Sequence, residues 1–513
     1  MSAGTLTLPR TAAGQANLRT LLPVLAVALA VFALLFGDEI IAAVGVWSAS
    51  TAYNHCFFVL PIALWLAWDR RTAARGLVAQ PTVWPALAML PLALGWFAAE
   101  RLGIMEGRQF AAIFMVQLLL IALLGWRLAR IYAGPIAYLV FLVPFGEFLT
   151  HPLQDFTARF VDVGLDVIGI PHVVSALLIE IPEGSFYIAQ ACAGLRFLIA
   201  AIAFGALYVL LLYRSPGRRI LFLLACIVVP VISNGLRALG IVVLGHLLGS
   251  AQAAATDHVI YGWGFFSAVI LLLTAAGLPF RQDARPHAPT LPRAPQSAVR
   301  WPAAALTALA IVLLAAAGPA AADFVRRDGH VSIAALPSFA ATPTCRAAPR
   351  PGPGIAAFDC GPVRLRARFD VLSTRDGGSA LKAELRGATG EGQLESPTIG
   401  TLTVAGAPAR NWRLMTSESP PRLAATLLLA GGTPVELGGL THRLALAWAS
   451  IVDPPAPMVL AGVALVPAVV VADPEEAHWN RGQMAAAQLI LRTFLEAQGA
   501  AIDAAARATA PQR

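Results

Sequence analysis

Three side chains that could do chemistry stand at the edges of apolar runs. Cys192 lies in A-Q-A-C-A-G-L-R-F-L (Ala189–Leu198), where a run begins that stays apolar to Tyr213. Arg237 lies in I-S-N-G-L-R-A-L-G-I (Ile232–Ile241), inside a second run. His258 lies in T-D-H-V-I-Y-G-W-G-F-F (Thr256–Phe266), at the head of a third. A thiol buried in lipid is inert, whereas one at the membrane boundary can ionise. An arginine inside an apolar run is expensive and is a functional hypothesis by default. A histidine at such a boundary can carry a proton near neutral pH. Taken singly, each has a plainer reading: a packed thiol, a snorkelling arginine, a hydrated histidine. Taken together, they suit nucleophilic acyl transfer. His258 takes the thiol proton or stabilises the thiolate, and Arg237 favours the thiolate or holds the oxyanion. A thioester acyl-enzyme forms, and an acceptor then attacks it.

Other schemes fit less well. The chain has no H-E-x-x-H, no G-x-S-x-G and no C-x-x-C, and its only lysine, Lys382, lies far from the apolar runs. No cofactor is required by these residues. The five cysteines are Cys56, Cys192, Cys226, Cys345 and Cys360. The last two lie close in sequence around Pro349–Gly354, a stretch able to close a loop, and are a disulfide candidate in an oxidising compartment.

The elements that must position this set are membrane helices. The chain has 513 residues, 58% of them hydrophobic and 13% charged, which describes a polytopic α-helical membrane protein with room for a second domain. Its net charge of +8 is spread over short loops, which argues for membrane orientation and against nucleic acid as a partner. About nine spans are expected: Leu21–Phe36, Cys56–Trp68, Val83–Ala99, Phe110–Trp126, Ile131–Leu149, Cys192–Tyr213, Ile220–Leu248, His258–Phe280 and Trp301–Ala317. With Arg10 and Arg19 in the cytoplasm, Arg70–Arg75, Arg127–Arg130, Arg214–Arg219 and Arg281–Arg300 all fall on the cytoplasmic side, and Arg101 and Arg108 are the exception. Arg237 follows Arg219 by 18 residues, roughly 27 Å along a helix, which brings it level with Cys192 at the outer boundary. Asn234 and Gly235 before it suggest a local break.

The expected domains are a cytoplasmic N-terminus (1–18), a polytopic membrane domain (19–280), a cytoplasmic linker (281–300), an additional transmembrane helix (301–318) and an external soluble α+β domain (323–513). Before Cys192, Ile181–Ile188 reads as a tight turn with short extended arms, Pro182 at its second position and Gly184 at its end. Further upstream, Pro152–Gly169 reads as an amphipathic helix on the outer leaflet. Its polar residues are Asp155, Arg159, Asp162 and Asp166, and its apolar ones Phe156, Phe160, Val163 and Val167. In the C-terminal domain, Val363–Phe369 and His442–Ala449 alternate like half-buried strands, and Glu475–Gln498 reads as a closing helix.

At A-C-A-G-L-R-F (191–197), N-G-L-R-A-L-G-I (234–241) and D-H-V-I-Y-G-W-G-F-F (257–266), the chain resembles the exosortase/archaeosortase family over roughly residues 50–280. The resemblance implies that Cys192, Arg237 and His258 are the catalytic residues of a membrane cysteine transpeptidase or protease. Its substrates are exported proteins ending in a sorting signal: a short Pro-Glu-Pro-like motif, a transmembrane helix and a basic tail. It also implies a bacterial inner membrane location and an exopolysaccharide or lipid-linked acceptor. One departure is Ala193, where many members have Ser. Some members carry a fused C-terminal domain linked to polysaccharide export. The alternatives are a transporter with Arg237 as an anion site, or a non-enzymatic export and assembly factor whose external domain binds glycan or protein.

Overall fold

The computed structural model describes residues 11–74, 77–249, 258–282, 301–327, 337–352, 354–389, 398–405, 409–418, 421–436, 439–468 and 481–510. The chain forms two compact units. One takes in Ala93–Arg108 and Ala316–Arg513, and the other takes in the residues up to Leu92 and Gln109–Ala315.

The second of these is helical: α1 (Thr11–Leu35), α2 (Gly37–Ala49), α3 (Cys56–Asp69), the start of α4 (Met89–Leu102), most of α5 (Met105–Ile131), α6 (Ala133–Tyr138), α7 (Thr150–Ile168), α8 (Leu195–Leu212), α9 (Pro216–Leu248), α10 (His258–Gly277) and the first part of α11 (Trp301–Arg327). Large apolar side chains such as Leu34, Ile41, Leu64, Leu271 and Leu272 stay exposed along these helices, as a lipid-facing surface requires. The chain is a multi-pass membrane protein. Four described helices, α5, α8, α9 and α11, are long and apolar enough to cross a bilayer, and two bent pairs raise the number to six.

The nine expected crossings exceed this number for local reasons. The second apolar run forms a helix of 14 residues, and the third splits into a 3-10 turn (Trp84–Ala88) and the 14-residue α4. A helix of that length covers about 21 Å, short of a hydrocarbon core of about 30 Å. The first run bends by 79° between α1 and α2. The fifth breaks after Leu142 and resumes at 66°. Pro144 lies in this break, and Gly146 there has a φ of +117°, a conformation that suits glycine.

Between α7 and α8 the chain forms an antiparallel sheet of three strands, β1 (Val173–Ser175), β2 (Leu178–Ile181) and β3 (Gly184–Tyr187). Ile181 pairs with Gly184, so Pro182 and Glu183 make the turn. Ile179, Ile181 and Ile188 pack with Ala158, Val161 and Leu165 of α7 and Val242 of α9. The buried stripe of α7 is therefore Gln154, Thr157, Ala158, Val161 and Leu165, while Phe156, Val163 and Val167 remain exposed. The helix has three faces: protein, polar and apolar-exposed.

In the other unit, seven antiparallel strands lie in the order β4 (Arg346–Gly352), β5 (Ile355–Asp359), β6 (Val363–Ser373), β11 (Pro457–Pro467), β9 (Pro421–Ala430), β8 (Arg410–Glu418) and β7 (Thr398–Val404), and β10 (Thr433–Val435) pairs with β9. On β6, Val363, Leu365 and Ala367 are buried while Arg364 and Arg366 are exposed. The buried side packs on α14 (Arg481–Ala497) and α15 (Gly499–Thr509) through Leu491, Phe494, Leu495 and Ile502. The expected closing helix thus begins at Arg481, its expected first residues, 475–480, lying outside the described residues. The opposite side takes α12 (Gly377–Thr389), with Leu381 and Leu385 over Leu428 and Leu460. Cys345 and Cys360 are joined by a disulfide.

The expected strand His442–Ala449 is instead part of α13 (Leu440–Val452). Leucine and alanine there favour a helix, and β-branched residues are absent from the segment.

Candidate active site

Cys192 sits in a 3-10 turn (Gln190–Ala193) that feeds directly into α8. Its N–H donates to the Ala189 carbonyl at 2.9 Å. Gly194 ends the turn with a φ of +79°. A methyl group at Gly194 would lie 2.6 Å from Cγ of Asn234, so both backbone and space require glycine.

Asn234, 3% exposed, reaches from α9 to this turn. Its Nδ2 donates to the Cys192 carbonyl at 2.7 Å and to Thr157 Oγ1 at 3.2 Å. Thr157 in turn donates to the Leu153 carbonyl, so its oxygen is fixed as an acceptor. One turn earlier on α7, Gln154 Nε2 donates to the Ile188 carbonyl at 2.9 Å. The main chain leading into the thiol is therefore held by three buried polar side chains on two helices.

The expected break at Asn234–Gly235 does not occur, and α9 runs unbroken through both residues. Gly235 instead accepts the ring of Phe160, which would lie 2.7 Å from a methyl group there, and Gly245 accepts the ring of Phe186 in the same way. Glycine in α9 serves close approach by α7 and β3.

Arg237 follows Asn234 by three residues, so the two share a side of α9. Its guanidinium lies against Gly262 of α10, where a methyl group would be 3.2 Å from Nη2. It is 6.0 Å from the ring centroid of Phe197, which stacks on Phe266 at 4.3 Å. The charge of Arg237 bears on Cys192, and Arg196 adds a second cation nearby. His258 opens α10 one helical turn before Gly262, and its side chain lies outside the described residues. The structure thus puts Arg237 one helical turn beyond the Asn234 that holds the Cys192 carbonyl, and places position 258 at the head of the helix that Arg237 lies against.

The free cysteines differ in access. Cys56 and Cys226 are buried, Cys226 against Gly205 of α8, whereas Cys192 is half-buried. Among the described residues, no group of three or more His, Cys, Asp or Glu could hold a metal ion.

Two histidine–carboxylate contacts flank the small sheet beside the site. His246 Nδ1 lies 2.9 Å from Glu183, and this contact keeps the Glu183 carboxyl below its ordinary pKa. His172 Nε2 lies 3.0 Å from Asp162 and 4.0 Å from Asp166. The Ile170 carbonyl first, and then these carboxylates, raise the pKa of His172.

Sequence reasoning singled out neither Gln154 and Thr157 nor the bonding role of Asn234. The available signal was the third helical stripe of Pro152–Gly169, in which two polar residues interrupt small and aliphatic ones at spacings of three and four.

A half-buried thiol at the head of an apolar helix, held through its own carbonyl by Asn234 and near a half-buried arginine, is the candidate site. Residues 47–275 match the family model described as transmembrane exosortase. No curated protein and no solved structure matches the chain.

Proposed function

We propose that this protein is a cysteine transpeptidase or protease that cleaves C-terminal sorting signals from exported proteins at the outer boundary of the bacterial inner membrane. The observation that carries this reading is the hydrogen bond from Asn234 to the Cys192 carbonyl, which ties the half-buried thiol at the head of α8 to the turn of α9 that carries Arg237. The Cys192 thiolate attacks the scissile carbonyl, and its negative charge passes to the carbonyl oxygen, where Arg237 stabilises it. The C–N bond then breaks, the leaving amine takes the proton that His258 removed from the thiol, and a thioester remains. Water or an acceptor nucleophile attacks the thioester, gives its proton to His258 and restores the thiol. The acceptor we favour is an exopolysaccharide or another lipid-linked group.

The same reading has a cytoplasmic N-terminus (1–18), a membrane domain (19–280), a cytoplasmic linker (281–300), a further transmembrane helix (301–318) and an external domain (323–513). Glu100, Arg101 and Arg108 fold into the same unit as the C-terminal domain. This supports putting the α4–α5 turn and the C-terminal domain on one side of the membrane. The charge arrangement of the loops puts them there too.

The test is processing of a substrate with a motif–helix–Arg tail, read as a mobility shift in cells, with enzyme level checked by blot. Cys192→Ala should leave full-length substrate uncleaved, while Cys226→Ala should act as wild type. Normal processing by Cys192→Ala would remove the thioester mechanism and favour a non-enzymatic export factor.

A further inference from the structure

The C-terminal unit carries an apolar helix face that its own fold leaves uncovered. At 100° per residue, Leu440, Leu444, Trp448, Ile451 and Val452 fall in one arc of α13. They are 62%, 50%, 68%, 42% and 54% exposed. The adjoining arc of the same helix is already docked: Ala447 and Ser450 are buried, and Leu446 packs on the cluster of Leu381, Leu385, Leu428 and Leu460. The helix is therefore fixed in place with its larger apolar side chains turned outward.

Hydrogen bonds tie that face to the ends of apolar helices. Arg375 Nη1 donates to the Ile451 carbonyl at 2.8 Å, in the last turn of α13. The Arg375 carbonyl accepts from Arg101 Nη1 at 2.7 Å, at the end of α4. Beside it, Glu100 meets Arg326 at 3.4 Å, in the last turn of α11, a helix long enough to span a bilayer. One residue thus separates α13 from the point where α4 and α11 end. Exposed side chains of the kinds that a membrane boundary selects stand on these same elements: Phe324, Arg326 and Arg327 in the last turns of α11, and Arg443 and Trp448 on α13.

We propose that α13 is an interfacial helix whose Leu440–Leu444–Trp448–Ile451 face lies in the headgroup boundary of the same bilayer, with the flanking arginines facing lipid phosphates. The C-terminal unit then rests on lipid through α13 as well as hanging from α11. Burial of this face in lipid removes apolar surface from water, which supplies the driving force.

The full chain in phospholipid nanodiscs, in a Cys192→Ser background, tests this. A nitroxide is attached at Leu444→Cys, at Trp448→Cys or, as a water-facing reference, at Arg364→Cys. Collisions with oxygen, which partitions into lipid, are compared with those of a water-soluble nickel chelate. The expected result is that oxygen dominates at 444 and 448, and that the ratio inverts at 364. Dominance of nickel at 444 and 448 would overturn the proposal, because the face then lies in water. Exclusion of both reagents would also overturn it, because a protein surface, such as a second copy of this chain, then covers the face. A second measurement needs no cysteine in α13. The fluorescence lost in Trp448→Phe relative to the parent should be quenched by lipids brominated on their acyl chains, and failure of that quenching counts equally against the proposal.

Discussion

Two arginine sites, one buried at Arg101 and one half-buried at Arg237, divide the molecule by purpose. Around Arg101, 1% exposed, the structure supplies a carboxylate and a carbonyl: Glu100 lies 3.9 Å away and the Arg375 carbonyl 2.7 Å away. Glu100 also takes Arg108 at 2.6 Å and Arg326 at 3.4 Å, so three cations converge on one acid. Around Arg237, the neighbouring chemistry is a thiol, a second arginine and an aromatic ring. The first arrangement joins chain segments. The second sets a positive charge near the thiol that the proposed reaction uses. Burial of an arginine in an apolar region therefore does not identify a catalytic group by itself; the group that its charge meets decides.

The comparison can be broken from either side. The largest effect is expected for Arg237→Leu. Substrate processing should fall at least about 10²-fold if the guanidinium stabilises the oxyanion. Enzyme abundance should hold, because a half-buried charge has been exchanged for an apolar side chain. A loss of abundance that matched the loss of processing would make Arg237 a structural residue like Arg101.

Glu100→Gln should behave in the opposite way. Removing the acid from a buried cluster costs about 3–5 kcal/mol. The solubilised full chain should show a lower thermal midpoint, with processing reduced only in proportion to the enzyme that remains. Unchanged thermal stability with abolished processing would place Glu100 in the reaction instead.

The smallest effect sharpens the reading of the sheet beside the site. The pKa of His172 is raised in the folded chain, so its contribution is fully present below the ordinary value of about 6.5 and is lost as pH rises through the raised one. Hydrogen exchange of Val173–Tyr187 should accordingly be slower in wild type than in His172→Ala at low pH, with the difference shrinking as pH rises. A difference that grew with pH would mean that the ion pair to Asp162 and Asp166 is not what holds the sheet.

Legibility in the sequence followed the number of environments each element faces. On β6 one face meets a core and the other meets water, so alternating Val-Arg-Leu-Arg-Ala-Arg-Phe read directly as a strand. The turn at Pro182–Glu183 was equally plain, because its residues are set by local backbone demands. The helix α13 was misread because Leu446 faces protein while Leu444 and Trp448 are exposed. Two apolar faces on one helix imitate a period of two. On α7 the apolar stripe that reads most strongly is exposed except at Phe160, and the buried stripe contains Gln154 and Thr157. Their selection depends on carbonyls that lie far away in sequence, at Ile188 and in the turn at Cys192, which no local pattern can announce. The same holds for Asn234, which read as a helix breaker and is a donor to another segment.

That donation has a consequence for how the nucleophile can be handled. Asn234 grips a carbonyl that every amino acid possesses, and Gly194 makes room for it; neither contact uses the sulfur atom. The identity of residue 192 is thus uncoupled from the geometry of its own backbone. Under the proposed mechanism, an exchange of the thiol for a hydroxyl should remove reactivity while leaving the cradle as it was. A silenced Cys192→Ser protein is accordingly a ready-made bait, able to hold an uncut substrate long enough for it to be isolated and identified.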